Sequence, residues 1–231
     1  MEKWFVINKG ADFEKLGKEF GISPVTARLI RNREVIGEAA FEKYLHGTLK
    51  DLYNPHLLKD VEILTEILKT KIEEQKPVRI IGDYDIDGVM STYILYRGIK
   101  HCGGNVSTQI PDRMKDGYGL NEHLVDEAYA DGIDTILTCD NGIAAYAQIE
   151  QAKKYGMTVI ITDHHEIPYE EEPLAEPDPE TGETSRRRYK IPPADVVIDP
   201  KQPGDTYPFQ EICGAVVAFK TDAAFICRVR L

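Results

Sequence analysis

The chain has 231 residues, 42% of them hydrophobic and 29% charged, with a formal net charge of -11. This is the composition of an ordinary folded protein, long enough to bury a full core. It excludes a low-complexity chain, and no stretch approaches the roughly 18 apolar residues of a membrane span. The acidic balance argues against a broad basic footprint for nucleic acid.

Residues 1–76 read as a mostly helical N-terminal segment. The start, Met1 to Phe13, lacks the apolar run of a secretory signal. Ser23-Pro24 pairs an N-cap residue with Pro at the first helical position. The stretch from Gly21 to Arg33 faintly suggests a helix-turn-helix, and two ordinary packed helices is the preferred reading. Asn54-Pro55 is a second start signal. It is expected to open a long amphipathic helix carrying Leu57, Leu58, Val61, Leu64, Ile67, Leu68 and Ile72.

From Val78 the pattern changes to alternating strand and helix. Strands are expected over 78–81, 106–110, 133–138, 157–162 and 196–198. Helices are expected over 87–101, 121–130 and 144–155. Apolar strands alternating with helices imply an α/β fold: a Rossmann-like, mainly parallel sheet of about five strands, flanked by helices. Residues 77–231 are read as this one domain. Between Ile167 and Pro193 the chain is Pro-rich and charged, with Glu170-Glu171-Glu172 and Arg186-Arg187-Arg188. Pro-Glu-Thr-Gly at 179–182 signals a turn, so an exposed hairpin or loop is expected. The arginines read as a solvated face, with a phosphate contact as the alternative. Cys102, Cys139, Cys213 and Cys227 form no CxxC pair. They read as buried free thiols of a reducing cytosol, so the expected localisation is cytoplasmic.

The chemistry lies at the strand ends. The first strand runs into Gly82-Asp83-Tyr84-Asp85-Ile86-Asp87-Gly88, the third into Cys139-Asp140-Asn141-Gly142, the fourth into Asp163-His164-His165-Glu166. In an open α/β sheet, ligands bind at the carboxyl ends of the strands. Several carboxylates gathered there repel one another unless a cation compensates them. Imidazole mixed with carboxylates suits manganese, zinc or iron, and magnesium remains workable. Two divalent ions about 3.5–4 Å apart are a common solution for phosphodiester hydrolysis.

Plainer readings of each cluster fail when tested. Asp-x-Asp-x-Asp-Gly opens an EF-hand loop, but that loop needs Glu at its twelfth position, and counting from Asp83 gives Ile94. Aspartyl-phosphate phosphatases normally place Thr or Val two residues after the second Asp, where this chain has Asp87. Asp140-Asn141-Gly142 alone is a common turn, and Asp163-His164-His165 alone could cap a helix. Three such clusters in order at three strand ends are not explained that way. No Walker motif and no GxSxG elbow is present.

These clusters resemble the first three motifs of the DHH phosphoesterase superfamily, named for the Asp-His-His that stands here as Asp163-His164-His165. Within it the wording is most similar to RecJ-type exonucleases. Gly82 to Val89 resembles their first motif, and Ile110-Pro111-Asp112-Arg113 with Gly117-Tyr118-Gly119-Leu120 the segment after it. Pro192-Pro193-Ala194-Asp195, Asp199-Pro200-Lys201-Gln202-Pro203 and Cys213-Gly214-Ala215 resemble the segments after motif three. The resemblance implies that Asp83, Asp85, Asp87, Asp140 and His164 hold one or two Mn2+ or Mg2+ ions. It implies that His165 contacts the scissile phosphate or acts as an acid, and that Asp163 orients the histidines. Arg113, Gly117, Tyr118 and Gly119 would position phosphate and nucleotide. The implied reaction is 5′ to 3′ hydrolysis of single-stranded DNA in recombination and repair, with single-stranded DNA as partner and no membrane.

The match also has departures. The family's further motif, with another ligand Asp, lies beyond the helix represented by Gly214 to Lys220, so the resemblance implies an N-terminal part of a longer protein. Such a part is expected to bind metal weakly and to have low or no nuclease activity. Thr221 to Leu231 departs from the expected helix, Asp199 replaces the usual Asn, and Val216 stands where Gly is common. Two other functions compete. One is a DHH phosphodiesterase for oligoribonucleotides or cyclic dinucleotides, which usually carries a His ahead of its first Asp-x-Asp. The other is a non-catalytic scaffold.

Overall fold

The computed structural model describes residues 9–115, 117, 119–174 and 184–229, so the turn signal at 179–182 lies outside the described residues. Two compact units are present, Met1–Tyr53 and Asn54–Leu231. The change of sequence pattern at residue 76 thus marks the onset of strand–helix alternation, while the compact units divide earlier.

The first unit holds α1 (Phe13–Phe20), α2 (Pro24–Arg31) and α3 (Glu38–His46). Asp12 and Ser23 cap α1 and α2 through their side-chain oxygens, and Gly21 ends α1 in the left-handed conformation. Its small core is Ala27, Ile30 and Phe41, with Phe20 stacked on Phe41 at 5.2 Å between ring centroids.

In the second unit, Asn54-Pro55 opens a single 3-10 turn over Pro55–Leu57, and the long helix α4 (Val61–Glu73) begins later. The expected helix start is therefore displaced. Asp60 adopts φ 62°, a left-handed conformation that no helix passes through. Leu58, Val61, Leu64, Leu68 and Ile72 still face one apolar cluster, so the periodicity was informative where the boundary was not.

The sheet comprises β1 (Val78–Ile81), β2 (Val106–Gln109), β3 (Thr135–Cys139), β4 (Thr158–Thr162) and β7 (Val196–Ile198). All are parallel, in the order β2-β1-β3-β4-β7. This is the α/β architecture that the sequence predicts. Between its members lie α5 (Ile86–His101), α6 (Glu122–Ala130) and α7 (Tyr146–Lys154). Helix α8 (Gly214–Val229) closes the fold, so residues 221–229 continue a helix where a departure was expected. A separate antiparallel hairpin, β5 (Tyr169–Pro173) with β6 (Ser185–Tyr189), interrupts the run from β4 to β7.

Side chains alternate across the sheet with the period of two that a strand imposes. Val78, Ile80, Leu137, Cys139, Ile160, Val196 and Ile198 enter one apolar cluster with α4, α5 and α8. Ile81, Ile136, Val159, Ile161 and Val197 enter the other with α6 and α7. Both faces are covered, which a parallel sheet requires. The cysteines divide: Cys139 is buried, whereas Cys213 and Cys227 are exposed, contrary to the expectation of buried thiols. Both ride on or beside α8, where an apolar pattern does not fix which side faces the sheet. No helix among the described residues is long and apolar enough to cross a membrane.

Candidate metal centre

In the strand order, β2 lies on one side of β1 and β3 on the other. The strand order reverses there, with successive connections leaving β1 to opposite sides, and the crevice at the carboxyl ends of β1 and β3 is the topological switch point. Asp83 follows β1 and Asp140 follows β3, so the fold sets both carboxylates beside this crevice.

After β1 the backbone turns sharply. Asp85 is extended and caps α5, its Oδ1 accepting the amides of Asp87 at 2.9 Å and Gly88 at 3.0 Å. Gly88 is required here: a Cβ would lie 2.5 Å from the Asp83 carbonyl oxygen and 2.6 Å from its nitrogen. Asp83 is fully buried; Oδ1 accepts the Gly119 amide at 3.4 Å, and Oδ2 has no hydrogen-bond partner. After β3, Asp140 is buried with φ 59°, a left-handed backbone that aims its carboxylate back into the crevice. Asn141 ties the two strand ends together, donating from Nδ2 to Ile81 O at 3.1 Å and Cys139 O at 3.0 Å.

After β4, Asp163 organises the two histidines next to it. Its buried carboxylate accepts the His164 amide at 2.7 Å, the His165 amide at 3.3 Å and His165 Nδ1 at 2.7 Å. The other oxygen accepts the Ile143 amide at 2.9 Å, joining the second and third clusters. Asp163 therefore holds the His165 ring through Nδ1. The pairing raises the His165 pKa to about 8. His164 Nε2 stands 2.9 Å from Asp140 Oδ1 and 3.5 Å from Asp87 Oδ2. Its pKa is also raised, chiefly by Asp140.

Two overlapping donor sets result. Asp140, His164 and His165 form one, and Asp83, Asp85 and Asp140 the other; within each set one donor atom per residue lies within 4.8 Å of the rest. Asp140 belongs to both. Burial pushes its pKa up, partly offset by His164, and the nearby Asp87 and Asp85 carboxylates raise it further. Asp83 Oδ2 and Asp140 Oδ1 are buried without an aligned hydrogen-bond donor. Buried carboxylates in that state are costly unless a cation compensates them. The mixed oxygen and imidazole donors suit a divalent first-row ion, so the residues present fit a metal centre.

Asp87 is engaged differently. Its two oxygens accept the Gly214 and Ala215 amides, both at 2.7 Å, and it belongs to neither donor set. Arg113 is exposed, with its guanidinium 5.4 Å from the centroid of the Tyr84 ring, which places it beside the first motif. Gly117 and Gly119 have φ of 77° and 67°, the left-handed region in which glycine is at no disadvantage. Tyr118 lies outside the described residues. Asp199 was noted in the sequence only as a departure. It is buried at the end of β7, with Oδ2 unpartnered and its pKa pushed up to about 7, first by burial. The strand-end rule, extended to β7, would have found it. A cleft of about 210 Å³ opens beside His165, with Leu120, Ile143 and Ala145 along it and Gln148, Asp163 and His165 among its polar lining.

Comparison with known proteins gives a consistent picture. The model of the DHH family, N-terminal domain, matches residues 77–226. The single-stranded-DNA-specific exonuclease RecJ of Bacillus subtilis (strain 168) is 35% identical over 225 residues, covering 97% of this chain and 26% of that protein. The RecJ of Escherichia coli (strain K12) is 32% identical over 199 residues, covering 86% of this chain and 30% of that protein. A crystal structure of exonuclease RecJ bound to manganese superposes with a TM-score of 0.61 at 30% identity, over 75% of this chain and 39% of that one. The chain thus spans between about a quarter and a third of the length of these curated relatives.

Proposed function

The chain belongs to the DHH family, and from that premise we propose that it carries the hydrolytic centre of a metal-dependent, single-stranded-DNA-specific exonuclease acting 5′ to 3′ in recombination and repair. One observation carries this reading: two donor sets at the switch point share a single buried carboxylate, Asp140. That arrangement is suited to one or two divalent ions. The relatives named above are exonucleases of this specificity, and a related RecJ structure holds manganese.

Asp83, Asp85, Asp140 and His164 would hold Mn2+ or Mg2+. Divalent ions bound there supply Lewis acidity, which activates water at neutral pH and offsets charge on phosphate. The protein's own groups do the rest. Asp163 holds the His165 ring through Nδ1, and the ring would donate to a phosphate oxygen or protonate a leaving oxygen. The cleft beside His165 offers an apolar wall and the Gln148 side-chain amide to a nucleotide. Arg113 can pair with a phosphate, as guanidinium geometry favours. The Gly117 and Gly119 backbone admits close approach. Asp87 takes part by fixing α8 against α5, with His164 3.5 Å away.

The test is hydrolysis of a 5′-phosphorylated, single-stranded oligodeoxynucleotide with manganese, by this chain and by its Asp140→Ala variant. Slow release of mononucleotides from the 5′ end, lost in the variant, is the expected result. Cleavage of dinucleotides in preference to the oligonucleotide, or cleavage indifferent to Asp140→Ala, would overturn the reading.

A further inference from the structure

The β5–β6 hairpin begins four positions after His165 and has no evident role in the core. Ile167 and Ile191 anchor its two roots in the second apolar cluster. Beyond them the strands pack principally on each other, with Tyr169 opposite Tyr189, Glu170 opposite Arg188, Glu171 opposite Arg187 and Glu172 opposite Arg186. Strand alternation sorts these side chains onto two faces.

One face is ionic. Arg186 pairs with Glu172 at 2.8 Å and Lys190 with Glu170 at 2.5 Å, with Arg188 beside them. Such exposed cross-strand pairs contribute modestly to the ribbon. The other face is aromatic. Tyr169 and Tyr189 meet edge to face at 6.0 Å between centroids, and the Arg187 guanidinium lies 4.6 Å from the Tyr169 ring centroid. Tyr169 is 43% exposed and Tyr189 38%, and Arg187 is exposed. Two part-exposed rings with a planar cation beside one of them have π-faces to offer. Glu171, opposite Arg187, balances its charge, so this face attracts phosphate weakly and bases more strongly.

We propose that this aromatic face is a stacking platform for single-stranded DNA, with bases laid on Tyr169, Tyr189 and the Arg187 plane beside the hydrolytic centre. The inference rests on the nuclease reading above. Bases stack on aromatic rings irrespective of sequence, the contact that non-specific single-strand binding uses. The chain geometry sets the reach: four residues span at most roughly 14 Å, so the platform lies within a few nucleotides of His165. A place four residues along the chain from His165, and aromatic planes on a ribbon whose other face pairs Glu170 and Glu172 with cations, single out this occupant.

The test measures affinity of the full chain for a fluorescein-labelled oligo-dT by anisotropy, in EDTA so that no cleavage occurs. Tyr169→Ala/Tyr189→Ala is expected to weaken binding by roughly tenfold without changing the salt dependence, while Tyr169→Phe/Tyr189→Phe binds like the parent. A control on the other face, Glu172→Ala/Arg186→Ala, is expected to keep parental affinity. Parental binding by the Ala pair, equal loss in the Phe pair, equal loss in the control, or no binding by the parent would each overturn the platform. Tyrosine-dependent binding with hydrolysis in manganese that is indifferent to Asp140→Ala would leave the platform standing and remove the nuclease reading instead.

Discussion

The carboxylate of Asp87, in the first turn of α5, accepts the backbone amide of Gly214, the first residue of α8, at 2.7 Å across 127 positions of sequence. With the adjacent bond to Ala215 it caps α8 from another helix. Both amides would otherwise be orphans, and a negative charge at a helix N-terminus is favourable. Asp87→Ala should therefore cost about 1–2 kcal/mol, seen as a lower midpoint in thermal unfolding without metal. Asp87→Asn keeps an acceptor oxygen and should lose less than half as much. Equal losses for Ala and Asn would show that the charge, and not the cap, is what matters.

Asp140 gives an opposite expectation for stability and function. Its carboxylate is buried, and its neighbours Asp85 and Asp87 disfavour ionisation. Removing that charge in Asp140→Asn should raise the unfolding midpoint of the metal-free chain. Manganese at 100 times its Kd should stabilise the parent by about 2.7 kcal/mol, and EDTA should reverse this. The variant should show little manganese stabilisation. A variant stabilised by manganese as strongly as the parent would remove Asp140 from the ligand set.

Much of this architecture can be read directly from residues. The run Val78 to Ile81 is short, apolar and followed by a Gly-Asp turn, and it forms β1 at the expected positions. The third strand starts at Thr135, after the expected Ile133, because Asp134 and Thr135 both donate to Pro77 O, a contact that no local pattern announces. Asp83, Asp85, Asp140, His164 and His165 converge because each follows a parallel strand, a topological fact that period-two and helical patterns together imply. The cap that Asp87 makes on α8, the clamp by Asn141 and the burial of Asp199 depend on tertiary contacts spanning tens of residues. So does the division of the hairpin into an ionic and an aromatic face: a run of three arginines reads as one charged patch until the strand register splits it.

Gly88 allows the turn that carries Asp83 to pack on the first turn of α5. A methyl group there would meet three Asp83 backbone atoms at 2.5–2.7 Å, and backbone cannot swing aside as a flexible side chain does. Gly88→Ala should cost about 1–3 kcal/mol through overpacking, despite the better helix propensity of Ala. It should also displace Asp83 and weaken manganese binding, measured by calorimetry. Unchanged stability and manganese affinity would mean that the turn relaxes freely.

Asp222, on α8, is a carboxylate remote in sequence from the donor sets. It packs against Gly98 of α5, where an added Cβ would lie 1.5 Å from its Oδ1. That oxygen is buried without a hydrogen-bond partner, and burial raises the pKa to about 7 from 3.8. The folded state therefore holds a proton that the unfolded chain releases between about pH 4 and 7. In that interval the folded form binds more protons, so stability falls as the pH rises, and the loss is complete above about 7. Asp222→Asn fits the same space and cannot ionise. Its unfolding midpoint should match the parent near pH 4, exceed it by several degrees at pH 8, and diverge progressively between. A constant difference across this range would show that Asp222 ionises in the folded chain as readily as in the unfolded one.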